Sequence, residues 1–196
     1  MFDECNKNKL PDNVYINNII LNKKKYHGSL TEGIYNNMLY ALEYFTFKYF
    51  IICSSRNYFD NNMTLYDLDN VIKQPIHMID YNYTVWHWPT FINTKLAKFF
   101  INQNKKLYSS SHEGLLFTYS CIQKIVHFLE NNLEIKNDLF NFEASVEEFA
   151  LQSIAINIED NFYYIGNGCC NNDHIKSNDE NDELKFMYKV DRIENL

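Results

Sequence analysis

Lys48-Tyr-Phe-Ile-Ile-Cys53 is the stretch on which the fold turns. A strand with one wet face alternates apolar and polar residues with a period of two, and this run does not alternate. It reads as a strand covered on both faces, central in a mostly parallel sheet. Just upstream, Ser29-Leu-Thr-Glu32 has the form of a capping box, and Ile34, Met38, Ala41, Leu42 and Phe45 recur behind it at helical spacing. That pattern predicts a helix leading into the strand. Further back, Asn13 to Leu21 is β-branched and aromatic enough for an earlier strand, followed by a polar loop from Lys23 to Gly28.

Downstream of Cys53, the spacing predicts a helix from Asn93 to Ile101 capped by Asn93, and a strand over Leu115 to Tyr119. Ile122, Ile125, Val126 and Leu129 then form the buried stripe of another helix. Ser145 caps a last helix whose Val146, Phe149, Ala150, Ser153 and Ile154 face inward, and Phe162 to Ile165 reads as a strand before the turn Gly166-Asn-Gly168. Strands alternating with helices place the chain in the α/β class, with crossover connections. With neither a repeat nor an interdomain linker, residues 1–196 read as a single domain with its core over 13–168. Asn171 to Glu183 is polar and acidic without an apolar period, and is expected to be a mobile loop.

A hydrophobic share of 46% in 196 residues is enough for one buried core. The net charge of -7 argues against a phosphate-gripping surface, so nucleic acid is not an expected partner. The cluster Lys23, Lys24 and Lys25 is short and reads as solvated. No apolar run approaches the roughly 18 to 20 residues that span a bilayer, and MFDECNKNKL lacks the pattern of a secretory leader. A cytoplasmic location is therefore expected, and the sequons at Asn62 and Asn82 carry little weight. Five cysteines without a CxxC pair fit reduced thiols.

Several groups bear chemistry. Glu147 and Glu148 stand at a predicted helix start, where acids complement the helix dipole and a carboxylate can also serve as a general base. Adjacent residues on a helix point about 100° apart, so this pair alone does not make the facing carboxyls of a glycoside hydrolase. Trp86-His87-Trp88-Pro89 is a dense aromatic cluster whose indole faces would stack on sugar rings, or equally form a rigid buried turn. Asp67-Leu-Asp69 matches a common metal-binding tripeptide, yet Thr64 before it makes a capped helix start the simpler reading. His87 and His112 lack a spaced partner, and vicinal Cys169-Cys170 before His174 cannot readily place two ligands on one ion.

Three blocks in order resemble the core-2/I-branching β-1,6-N-acetylglucosaminyltransferase family, over roughly residues 13–157. The first runs from Asn13-Val-Tyr-Ile through Lys25-Tyr-His-Gly-Ser29 to Ile52-Cys-Ser-Ser-Arg-Asn-Tyr58, and is similar to that family's strand, helix and "Cys/Ser-Gly-x-Asp-Tyr/Phe-Pro" loop; Asn57 stands where the family has Asp, and Phe59 where it has Pro. The second, Ser109-Ser-Ser-His-Glu-Gly-Leu-Leu-Phe-Thr-Tyr-Ser120, resembles "Gly-Ser-x-Trp/Tyr-Phe-x-Leu-Ser", which lines the acceptor sugar. The third, Ser145-Val-Glu-Glu-Phe-Ala-Leu-Gln-Ser-Ile154, is similar to "Ser-Pro-Asp-Glu", with Ser153 replacing a following Thr.

The resemblance implies a GT-A-like, Rossmann-like mixed and mostly parallel sheet flanked by helices, lacking the strand and helix that in the family precede the position of Asn13. It implies inverting transfer of an N-acetylglucosamine-type sugar from a nucleotide sugar such as UDP-N-acetylglucosamine to a glycan hydroxyl, without a metal, and with Glu148 as base. Glu113 and His112 fall at the acceptor site, with Trp86 and Trp88 as sugar-stacking candidates; Ser54, Ser55, Arg56 and Asn57 fall at the donor. Lys189 and Arg192, with Lys185, are the candidates to neutralise the leaving diphosphate. Proteins of this kind occur in large DNA viruses and in Golgi membranes. The rival reading is a truncated, inactive paralogue that serves as a glycan-binding or interaction module.

Overall fold

The computed structural model describes residues 27–53, 57–59, 64, 66, 79–80, 89–109, 115–158, 169–171 and 187–189. In chain order these form α1 (Ser29–Tyr44), β1 (Tyr49–Ile51), β2 (Asn57–Phe59), β3 (Ile79–Asp80), a 3-10 turn (Pro89–Asn93), α2 (Lys95–Asn102), β4 (Tyr108–Ser109), β5 (Leu116–Thr118), α3 (Tyr119–Asn131), α4 (Leu133–Asn141), α5 (Glu147–Ile158), β6 (Cys169–Asn171) and β7 (Met187–Lys189). Helix and sheet are mixed, and helices supply most of the described residues. No helix among them is long and apolar enough to cross a membrane.

The core is assembled around α5, whose Phe149 to Ala155 are all buried. The predicted stripe of Phe149, Ala150, Ser153 and Ile154 is inside, but so are Leu151, Gln152 and Ala155. A helix covered on every side is an interior element. It packs on α3, which also touches α1, α4 and both strands of the β1–β5 pair. Phe91 of the 3-10 turn stacks on Phe149 with centroids 4.7 Å apart, and α2 places Leu96, Ala97 and Phe100 in the same core.

The run around Tyr49–Ile51 is a strand, but not the one its apolarity suggested. It pairs antiparallel with β5, Tyr49 opposite Thr118 and Ile51 opposite Leu116, and all three of its residues are half-buried. Leu116 and Phe117 of β5 are buried, so β5 is the inner strand and β1 the outer one. An apolar run reports that a strand is covered, not the direction of its neighbour. Here the start of β1 lies beside the end of β5, and Tyr119 N–H donates to Lys48 C=O at 3.2 Å. Helix α1 enters β1 at that end and α3 leaves β5 there, which explains why the two helices pack together. The mostly parallel sheet is thus not present among the described residues. There, β2 and β7 pair antiparallel, β3 and β4 pair antiparallel, and β6 beside β7 is the single parallel ladder.

Helix ends correct three further expectations. Ser29 does not cap α1: it is the first helical residue and buried, Gly28 takes the cap position, and no side-chain cap bond forms. Thr94, not Asn93, caps α2, accepting from Ala97 N–H at 3.1 Å while donating to Phe91 C=O at 2.8 Å. α5 starts at Glu147, where Val146 C=O accepts from Ala150 N–H at 2.8 Å, so Ser145 precedes the helix. Helix α4 was not anticipated at all. Only Ile135 and Leu139, four apart, are buried on it, a stripe too narrow to stand out among the polar residues around it. The predicted strands at 13–21 and 162–165 and the helix near Asp67 lie outside the described residues, as does most of the expected mobile stretch, whose first residue, Asn171, ends β6.

Gly28 is required for space. Its N–H donates to Phe142 C=O at 2.8 Å, and a Cβ there would stand 1.9 Å from Leu139 O at the end of α4. Its φ of -53° is open to any residue, so the constraint is steric alone. Gly28→Ala is expected to lower unfolding free energy by about 1–3 kcal/mol, the usual cost of overpacking, because backbone must move. Urea denaturation followed by circular dichroism measures this, and an unchanged midpoint would show that α1 and α4 are not packed this closely.

Candidate functional site

The two acids opening α5 stand in different surroundings. Glu147 is 2% exposed, whereas Glu148 is half-buried and is the single residue from Glu147 to Ala155 that keeps access to solvent. Of the pair, Glu148 is therefore the one that solvent or a ligand can reach. The resemblance had singled out Glu148; the difference in burial between the two acids arises from the covering of α5, which a single periodic stripe did not reveal.

Two donor-site candidates meet across a ladder. Asn57 of β2 is the register partner of Lys189 of β7, antiparallel, although 131 residues separate them in the chain. Ser54, Ser55, Arg56 and Arg192, and the acceptor candidates Glu113, His112, Trp86 and Trp88, lie outside the described residues, as do Lys185, Asp67 and Asp69. Pro89, the last residue of the aromatic cluster, opens the 3-10 turn whose Phe91 is buried against α5.

Two open hollows lie elsewhere. One, of about 470 Å³, runs along the joined ends of β1 and β5. Its aromatic lining is Phe47, Tyr49 and Tyr119, with the hydroxyls of Thr46, Thr118 and Ser120 at hand. Phe47 and Tyr119 stand 5.1 Å apart at 59°, forming a notch, and Lys48 Nζ lies 5.3 Å from the centre of the Tyr49 ring. The second, of about 450 Å³, lies between the 3-10 turn and the α4–α5 connection, lined by Thr90, Asn93, Asp138 and Glu143 among others. Asp138 accepts from the Lys95 backbone N–H at 2.7 Å, so its carboxylate is engaged at the start of α2. Among the described residues no group of three or more His, Cys, Asp or Glu side chains converges as metal ligands would. Cys53 is exposed and Cys121 buried.

Sequence reading overlooked Asn157 and the use made of Ser153. Ser153 Oγ accepts from Tyr108 N–H at 2.9 Å and donates to Tyr108 C=O at 3.1 Å; Asn157 Nδ2 donates to Lys106 C=O at 2.8 Å. A Ser and an Asn four residues apart on an otherwise apolar helix was the available signal, since they share one face. No protein-family model, curated protein or solved structure matches the chain.

Beside the second hollow, Lys95 Nζ donates to Glu134 at 2.9 Å, and this hydrogen bond, then the ammonium charge, holds the Glu134 carboxyl below the ordinary value of 4.5. A depressed folded value means that the pair's contribution is present above pH 4.5 and is lost as pH falls through the folded value. Both groups are well exposed, so the stabilisation itself is slight. In a carboxyl-detected NMR titration, Lys95→Met should return Glu134 toward 4.5, and an unmoved midpoint would remove Lys95 as the cause.

Proposed function

We propose that the chain is a carbohydrate-active domain that transfers a sugar from a nucleotide-sugar donor to a glycan hydroxyl with inversion. The observation carrying this reading is the meeting of Asn57 with Lys189, two donor-site candidates from distant parts of the sequence that share one ladder. The half-buried Glu148 supports it from the acceptor side. Its carboxylate takes the proton of the acceptor hydroxyl as that oxygen attacks the anomeric carbon. The bond from that carbon to the donor phosphate breaks with its electron pair, and the diphosphate departs with the charge that Lys189 would offset. The support comes from residue placement and not from the sheet, since the parallel order of the resembled family is not what the described strands adopt.

A second reading, a glycan-binding module without turnover, is favoured by the hollow along β1 and β5. Amphipathic sugar rings present C–H faces to aromatic side chains and hydroxyls to hydroxyls, and Phe47, Tyr49 and Tyr119 with Thr46, Thr118 and Ser120 offer both. Titration calorimetry with UDP-N-acetylglucosamine separates the two. The transferase gives binding heat, and Lys189→Ala weakens it; the module gives none, yet still binds glycans on an array. With a competent acceptor, Glu148→Gln should lower kcat by a factor of about 10² to 10⁴ while donor binding and melting temperature stay near wild type. Undiminished turnover would exclude Glu148 as the base.

A further inference from the structure

We propose that Ser153 and Asn157 are positioning residues that set the height and rotation of α5 against the segment Lys105 to Ser109, and thereby the place of the Glu148 carboxylate. The inference rests on the reading of Glu148 as base. Three contacts along one stripe of the helix carry it.

The Ser153 hydroxyl, fully buried, spends its single proton on Tyr108 C=O and receives Tyr108 N–H on a lone pair, as an adjoining strand residue would. One turn on, Asn157 Nδ2 bridges Lys106 C=O and the Ser153 C=O, at 2.8 and 2.7 Å. Lys105 Nζ donates to the Asn157 carbonyl at 2.8 Å, so contacts from three closely spaced residues reach the same face of α5. The rest of the helix surface from Phe149 to Ala155 is apolar or small apart from Gln152, and such surface sets no sharp register, because apolar attraction is not directional. Hydrogen bonds weaken steeply with distance and angle, so the Ser153 and Asn157 contacts choose one position along the helix axis. Ser153 lies five residues beyond Glu148 on the same rigid element, so a displacement at one is passed to the other. Misplacement of a reacting group by about 1 Å commonly costs around 10²-fold in rate.

The test compares wild type with Ser153→Ala, Ser153→Thr and Asn157→Ala in a steady-state transfer assay, well below every melting temperature, over a range of pH. Positioning predicts that Ser153→Ala lowers kcat about tenfold or more with donor KM unchanged, and moves the acidic limb of the kcat profile. Ser153→Thr, which keeps the hydroxyl, returns both toward wild type, and Asn157→Ala causes a smaller fall in the same direction. Wild-type kcat and pH profile in Ser153→Ala, or a fall in kcat with an unshifted profile that Thr does not rescue, would overturn the positioning role and leave Glu148 in place. A wild-type chain that binds the donor but transfers nothing, equal to Glu148→Gln, overturns the base assignment and this inference with it.

Discussion

The covering of α5 on all sides from Phe149 to Ala155 is the constraint on which the rest of the described structure depends. Phe149, Leu151, Ile154 and their neighbours leave the stretch from Phe149 to Ala155 no wet side, so other elements must close around it: α3, Phe91 of the 3-10 turn across Phe149, and β4 along the Ser153 face. Burying a large apolar side chain is worth about 1.5–3 kcal/mol, and several are gathered on one helix, which makes it the place where apolar burial concentrates. The same enclosure makes polar groups there costly unless bonded, and the two-way bond between Ser153 and Tyr108 answers that need for the hydroxyl. Among the described residues the helices form the main body, and the β1–β5 pair and β4 pack against them, while β2, β7 and β6 form a three-stranded sheet.

Around that centre, α1 and α4 are drawn together closely enough that backbone meets backbone at Gly28 and Leu139. The approach is reinforced at its other side by Tyr35, whose hydroxyl donates to Glu130 and whose ring lies 5.3 Å from Phe140, with Lys136 reaching the same carboxylate at 3.1 Å. Three helices, α1, α3 and α4, contribute to this one cluster, which ties the outer helices to the helix that lies against α5. Polar and aromatic contacts of this type add direction to a core whose apolar attraction has none.

The sequence disclosed elements wherever a pattern was strong and local. The helix from Ser29 is present, but of the stripe read on it only Met38 is buried, beside Thr31 and Tyr35; Ile122, Ile125 and Leu129 are buried with Val126 half-buried, and the run at Tyr49–Ile51 is a strand. What local pattern could not carry was pairing: β1 meets β5 after more than sixty intervening residues, and nothing in an apolar run states the direction of its partner. Caps failed at Asn93 because Thr94 beside it had a better-placed oxygen, and at Ser29 because Gly28, pressed against α4, already ended the chain's approach. Of the site, Glu148 was chosen from the resemblance, whereas the unequal burial of the two acids and the meeting of Asn57 with Lys189 depend on tertiary placement, as does the bonding of Ser153 and Asn157 to Tyr108 and Lys106.

Two adjacent acids at one helix start can stand in unequal surroundings, because neighbouring positions face different sides of the helix. Glu147 is nearly sealed within the core. Glu148, one residue on and turned through about 100°, is half-buried and keeps access to solvent. The same helix carries both, and directional bonds at Ser153 and Asn157 hold it against Tyr108 and Lys106. On this view the polar stripe of an otherwise apolar helix is not a flaw tolerated in the core. It satisfies the buried Ser153 hydroxyl and ties α5 to the segment from Lys106 to Tyr108.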